Sequence, residues 1–589
     1  MKFIYKILFI PILLWTVWSC GDLDQMPQST TTNPAVFGSE NGLSLYSNSF
    51  YSILPSANTI HTGDAMADYA ARNQVPEFLR ENAFGPRQSS GWEWEDLRNI
   101  NYFLENNNSE KVQEEIRFHY TALARFFRAY FYFEKVKRFG DVPWINRTMN
   151  VDDPDLFAGR DPRALVMDSV LADLNYALLH IRDVNDGSRT TITRDVVLAY
   201  KSRIALFEGT LRKYHPELGL ESSAESWLEE SVSASRELID GGRFSINTAG
   251  EMPYRNLFIS KTPVASEIIL AVAADPDLAV FHDANWWWTS STYGARVSLT
   301  KTFVNTYLQQ NGQPFTDKEG YDEMVFLEEV KNRDLRLSQT IRMQDYTRTN
   351  AGAEVPSPPV FSYTYTGYQP IKWTLDDMFF DGGNRNDNSV SIIRYAEVLL
   401  NHAEAKRELG DFGAEDWNIT IGLIRERAGI ANAMSLPTKI DPYLQENYFP
   451  ELSDPVLLEI RRERGIELVF EGLRFYDLVR WKKGELLEMT WDGFYVPALD
   501  QPLDLNGDGT LDVSFYTTAP ANPVAGVTYI NVAGNIGSGV NPQQLAQGNK
   551  GKLTWLAQIP KVWDDKKYLY PIPENDLLMN PELGQNSGW

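Results

Sequence analysis

The chain of 589 residues carries 79 acidic against 55 basic side chains, and its net charge of −24 repels nucleic acid and anionic headgroups. At ~150 residues per domain that length would suggest about four domains, with ample room for a buried core. The single cysteine, Cys20, excludes an intramolecular disulfide framework, a thiolate zinc site and a cysteine nucleophile in the body of the protein.

Lys2 and Lys6 precede a short apolar run, Ile7 to Trp18, which falls below the ~20 residues of a spanning helix. Val17-Trp18-Ser19-Cys20 sits where a lipobox would be. Residues 1–20 therefore read as a lipoprotein signal peptide with Cys20 as the lipidation site, the alternative being a plain secretory signal with an incidental thiol. More than one acyl chain on that cysteine would anchor the protein stably. Residues 21–40, polar and rich in Ser, Thr, Asn and Pro, read as a tether. Helices are expected from Gly42 to Leu54 and from Trp94 to Asn106. A third, from Ile116 to Phe139, is apolar over most of its circumference and so should be central; Gly140 followed by Pro143 stops it. Pro162 to Ile181, Thr193 to Gly209, Ser226 to Leu238 and Ile392 to Leu409 follow as helices, with Thr193 as an N-cap and Gly209 as a closing glycine.

Ala-rich helices ending in FRAYFYFEKVKRFGD and AEAKRELGDFG resemble degenerate tetratricopeptide pairs, which stack as hairpins on their neighbours. The expected fold is mainly α: tetratricopeptide-like helical hairpins over 41–242 and 392–485, packed against a loop-rich region with short β-strands. The irregular stretches, 55–93, 243–391 and 486–570, are where a binding surface is expected. The most charged helix is VLLEIRRERGIELVFEGLRFYDLVRW, residues 456–481. Glu459, Glu463, Glu467 and Glu471 form one row there, answered by Arg461, Arg462, Arg464, Arg474 and Arg480. Gly472 should cap it, and Phe475 to Trp481 reads as a second short helix. This stretch reads as a half-buried pair of helices held by ion pairs, against the alternative of carboxylates paired for acid–base chemistry.

The six histidines include no two spaced three to five apart, so no helical metal pair is present, and His402 reads as a packed core histidine. A glycosidase needs only two carboxylates at the right separation, which so acidic a sequence cannot reveal. One loop carries metal-like spacing: Asp504, Asn506, Asp508, Thr510 and Asp512 place oxygens around Gly507 and Gly509, either as a structural calcium loop or as a plain polar turn. The bidentate acid of an EF-hand is replaced by Phe515. Trp286-Trp287-Trp288 is the other feature. Consecutive side chains cannot share one face, so either all three are packed in the core or at least one indole, with Tyr293 nearby, forms a platform for a sugar ring.

ERGIELVFEGLRFYDLVRW resembles the C-terminal signature of the SusD/RagB family of surface lipoproteins. LRNINYFLEN (97–106), FFRAYFYFEKVKRFGDVP (126–143), NRDLRL (332–337), IRYAEVLLNHAEA (393–405), IRERAG (424–429) and YLYPIPENDLLMNPELGQNSGW (568–589) resemble further family segments in the family's order. Gly21-Asp22-Leu23-Asp24 is similar to the acidic surface-export signal of Bacteroidota lipoproteins. The resemblance implies one family domain over 41–589 on the outer face of the outer membrane, lipid-anchored. It also implies capture of an oligosaccharide, or in some members a peptide, for a TonB-dependent SusC-like transporter, with no catalysis. Family glycan contacts often fall at the early helix, which adds Trp92, Trp94 and Asn101 as ligand candidates, with Asp68 and Tyr69 in the preceding loop. Trp94 and Asn101 are seven apart, hence expected on one helical face.

Overall fold

The computed structural model of the chain describes residues 36–589, and Cys20 with the lipobox lies outside them. The helix at Glu114–Phe139 is central, as its composition requires: Phe126, Phe127, Ala129 and Tyr132 are fully buried. Glu114 and Glu115 in its first turn and Lys137 and Arg138 in its last complement the helix dipole, and Gly140, at φ +78°, ends it. It pairs with Arg163–His180 as an antiparallel hairpin. Phe118 meets His180 at one end, Arg128 pairs with Asp173 in the middle, and Arg163 donates to the Val136 carbonyl at the other. The next hairpin joins Arg194–Tyr214 to Ala224–Asp240, and Tyr395–Glu408 packs against the second of these and against Pro455–Glu467.

Several expected boundaries move: the helix expected from Gly42 to Leu54 is α-helical only over Glu40–Ser47 and tightens to a 3-10 turn over Asn48–Ile53. Gly209 does not close its helix, which runs on to Tyr214; a Cβ there would come within 2.8 Å of Leu228, so the glycine admits the neighbouring helix. Residues 392–394 belong to a strand, Val390–Arg394, paired antiparallel with Ile268–Val272. The fold is mainly α, and its strands are short: the widest sheet has three, in the order 543–545, 551–555 and 491–496. Among the described residues no helix is long and apolar enough to cross a membrane.

Two apolar cores result. One fills the helical hairpins; the other, with Tyr254, Phe258, Trp288, Phe303, Trp373 and Phe494, lies under the loop-rich region. The helix Pro455–Glu467 joins them, giving Leu458 and Ile460 to the first, while Ile466, Val469 and Phe470 go to the second. It is buried throughout rather than half-buried, and it ends at Glu467, so Glu471 leaves the expected row.

The charges of that helix are answered mostly from remote segments. Glu467 accepts from Arg336 (3.0 Å), Arg394 (2.6 Å) and Arg427. Glu463 accepts from Arg336 and Arg425, and Glu471 from Arg394 and Lys372. The helix's own arginines point elsewhere: Arg461 to Glu408, Arg464 to Asp477, and Arg462 to Asp441 as well as Glu459. Burial alone would raise the Glu467 carboxyl, but Arg427, Arg394 and Arg336 outweigh it and hold the group well below the usual range. Glu463 and Glu471 are lowered likewise, opposite to what a general acid needs. This network ties the scaffold to the loop region.

Candidate functional site

The three consecutive indoles fall on a six-residue helix, Ala284–Thr289, and fan apart by roughly 100° per residue. Trp288 turns inward, 4% exposed, with its ring 5.0 Å from Phe470. Trp286 and Trp287 are half-buried. Tyr293 is 41% exposed and stacks on Trp286, ring centres 3.8 Å apart and planes 12° apart, while Trp287 meets the same tyrosine edge-on at 6.1 Å. Two glycines make the arrangement possible. A Cβ on Gly383 would stand 2.4 Å from the Trp286 ring, and one on Gly294 would stand 1.8 Å from the Trp287 carbonyl oxygen.

A polar frame holds this platform in place. Asn285, fully buried, donates to the Leu375 carbonyl (2.9 Å) and to Asp381 (3.0 Å) and accepts from the Leu375 amide and from Asn386. Arg348 clamps Asp381 with two bonds of 2.7 and 2.8 Å. Tyr293 donates to Asp283 (3.2 Å), whose other oxygen accepts the Asn384 amide. The turn carrying Gly383 also displays Phe379, 60% exposed, with the Arg385 guanidinium 4.8 Å from its ring. The outcome is a ledge of exposed aromatic surface beside carboxylate, amide and guanidinium groups, the combination that grips a polar ligand with an apolar face.

The early-helix candidates are placed differently. Trp92 is 7% exposed and packs edge-on against Trp94 and Phe139. Trp94 is the N-cap of Glu95–Asn106 rather than part of that helix, half-buried against Phe131 and Tyr132. Asn101 has no exposure and donates to the Ile145 and Arg147 carbonyls, fastening the segment after Pro143. Asp68 is sealed against Arg474 by two bonds of 2.8 Å, and Tyr69 is buried, donating to Asp64. These side chains are committed to packing, because a spacing of seven shows a shared face but not whether it looks inward. His402 is buried as expected, bonded to Ser235 at 2.9 Å.

A second aromatic stack is formed only by the fold. Tyr365 and Trp555 lie 3.8 Å apart at 15°, with the Arg296 guanidinium 5.5 Å from the tyrosine ring. Arg296 also donates to the Ser291 carbonyl, so the segment that bears Tyr293 leads directly to this stack. Trp555 further lines a cavity of about 230 Å³ with Val75, Trp491 and Lys561. The pair is 190 residues apart in sequence, and neither member carries a local signal. Larger cavities, of about 490 Å³ beside residues 430–442 and about 540 Å³ beside His215 and Tyr568, display no exposed aromatic face.

In the 504–512 loop, Gly507 and Gly509 take φ of +82° and +85°. Asp504 accepts the amides of Gly507 and Gly509, Asp508 that of Thr510, and Asp512 that of Leu505. Asn506 donates to Asp508. The carboxylates thus turn onto the loop's own donors. Among the described residues no group of three or more His, Cys, Asp or Glu is arranged to hold a metal ion.

Comparison with known proteins agrees with this architecture. "SusD-like protein P2" of Formosa agariphila is 25% identical over 532 residues, covering 82% of this chain and 91% of its own. A SusD-like protein of Bacteroides fragilis superposes with a TM-score of 0.66 at 21% identity, over 94% of this chain and 98% of its own. A second structure from the same organism, named a SusD-like carbohydrate-binding protein, gives a TM-score of 0.68 at 19% identity, over 93% and 99%. The model of the SusD family matches residues 275–589, more than half of the chain, and the protein belongs to that family.

Proposed function

We propose that the protein is a cell-surface binder of oligosaccharides that presents its ligand, uncut, to a partner TonB-dependent transporter of the SusC-like kind. The observation that carries this reading is the exposed Tyr293 stacked on Trp286, on a segment fixed by Asn285 and Asp381. The carboxylates nearest the platform, Asp283 and Asp381, are taken up in hydrogen bonds to Tyr293, Asn384, Asn285 and Arg348, which favours binding over hydrolysis. Among its structural relatives, one is named a carbohydrate-binding protein and another, from Bacteroides fluxus, a surface glycan-binding protein. Lipid attachment through Cys20 would place the protein on the outer membrane.

Screening the purified chain against a glycan array by tryptophan fluorescence tests this. A glycan that shifts the fluorescence of the wild type, and less that of Trp287→Ala, supports the reading. Peptides that bind where no glycan does would replace the ligand class, and products cut from the ligand would overturn the reading. Co-purification with an outer-membrane barrel tests the partner. For the 504–512 loop the proposal is a calcium ion that stiffens the turn. Its support is the donor set of Asp504, Asn506, Asp508, Thr510 and Asp512, whose carboxylates would have to swing away from the amides they accept. A rise in melting temperature of at least about 2 °C with calcium would support the ion, and an unchanged value would contradict it.

A further inference from the structure

Beneath the platform lies an uncompensated buried charge. Three guanidinium groups, Arg255, Arg342 and Arg348, gather around Tyr346 and the 376–381 turn. Among the described residues two carboxylates pair with them, Asp376 with Arg255 at 2.7 Å and Asp381 with Arg348 at 2.7 Å, while Asp377 of the same turn accepts the Phe379 amide. Arg342 is 4% exposed and has no carboxylate within ion-pair distance among the described residues. Asp345, three residues on, is exposed and makes no ion pair with it. Among the described residues the one hydrogen bond of the Arg342 guanidinium is a long one, 3.4 Å, from Nη1 to the Pro358 carbonyl, and its Nε is buried without an acceptor.

Other buried arginines with such an Nε are compensated. Arg255, Arg348, Arg427, Arg461 and Arg462 all hold ion pairs, Arg333 donates to three main-chain carbonyls, and Arg189, which holds no ion pair either, donates to the Ala265 carbonyl at 2.7 Å and to Asn185. Arg342 has none of these. Burial pushes its guanidinium down to about 10, the direction expected where a charge lacks a counterion.

The missing acceptor has a definite place. Ile341 and Pro370 face each other in an antiparallel bridge, and the Arg342 amide donates to the Gln369 carbonyl at 2.8 Å. Arg342 and Gln369 are therefore direct cross-strand neighbours whose side chains share a face. Gln369 is fully buried. Its Oε1 accepts the Val360 amide at 2.9 Å, which fixes the orientation of the carboxamide, and its Nε2 is left buried with no acceptor. Both side chains thus reach the 358–360 segment, one at Pro358 and the other at Val360, and each has a buried donor, Arg342 Nε and Gln369 Nε2, with no acceptor. Donors alone, one of them on a guanidinium that holds no carboxylate among the described residues, describe the complement of an anion.

We propose that Arg342 Nε and Gln369 Nε2 bind a small monovalent anion of the halide class under the 358–360 segment. The anion neutralises the odd guanidinium and cements the turn that supports the Arg348–Asp381–Asn285 frame. Chloride fits better than a carboxylate ligand, because both donors are buried. The net charge of −24 gives no general attraction for anions, so the two donors must supply the affinity.

Bromide replacement tests this on the unaltered protein. Crystals soaked in bromide should give an anomalous peak within hydrogen-bond distance of both Arg342 Nε and Gln369 Nε2; water density there without such a peak overturns the proposal. In solution, chloride in place of gluconate at constant ionic strength should raise the melting temperature by about 2 °C. Arg342→Met, which removes the guanidinium, should erase that difference, and Gln369→Leu should reduce it if the first variant does not fold. A chloride response that persists in both variants would also overturn the proposal.

Discussion

The helix at 455–467 and the ledge at 284–293 treat burial in opposite ways. In the helix, carboxylates and guanidinium groups are sealed from water and matched almost one to one, so they fix how two cores sit together and leave nothing for a ligand. On the ledge, aromatic rings that could have been buried are stopped halfway: Trp288 goes in, Trp286 and Trp287 stop at the surface, and Tyr293 lies open. Glycines at 294 and 383 and the buried Asn285 hold them there. The contrast teaches that, in this chain, charge density marks structure, while unfinished aromatic burial marks the surface proposed to bind.

The contrast breaks most visibly if the helix is damaged. Glu467→Gln leaves Arg336, Arg394 and Arg427 short of a counter-charge and should cost about 3–5 kcal/mol in chemical denaturation; a loss under about 1 kcal/mol would show that the network is ornamental. Trp92→Ala should cost about 3 kcal/mol by opening a cavity beside Phe139, with ligand affinity kept wherever the protein stays folded. Gly383→Val presses on the Trp286 ring without touching either core, so affinity should fall about tenfold while the melting temperature changes little. Equal affinity would show that the ring is not part of the site.

Acid sharpens the comparison further. Burial lowers the imidazoles of His61, His119 and His402 to about 3, about 4 and about 4, so the folded protein binds fewer protons than the unfolded chain below pH 6.5. Their contribution is present above pH 6.5 and is lost as the pH falls. Burial would raise Glu404, but Arg480, with Arg464 and Arg461, brings it down to about 2, which adds a further loss between pH 4.5 and 2. Asp64, raised to about 6 by its burial, works the other way. The urea midpoint should therefore drop between pH 7 and 4, and a flat profile would contradict the burial of these rings.

Much of the fold is legible in the sequence because its signals are local. The 114–139 helix shows itself by composition, and the 455–480 segment by its charge rhythm. What answers that rhythm is not legible, since Arg336, Arg394, Arg425 and Arg427 come from other segments that only folding brings near. The Trp286–Trp288 run is readable as a feature because three consecutive rings cannot hide together, yet which ring turns inward depends on Phe470, nearly two hundred residues away. The family resemblance points to Asn101 and Asp68, yet the Asn101 Nδ2 fastens backbone and the Asp68 carboxylate holds an arginine. Tyr365 with Trp555, and Arg342 with Gln369, exist only as tertiary pairs.

One experiment bears on the whole account: affinity for the same oligosaccharide, and melting temperature, measured side by side for Tyr293→Ala and Trp92→Ala. The account predicts that Tyr293→Ala loses about tenfold or more in affinity at an unchanged melting temperature, and that Trp92→Ala does the reverse, with the ligand recovered intact. If Tyr293→Ala binds as the wild type does, or if the ligand comes back cleaved, the ledge is not the binding surface of a non-catalytic protein.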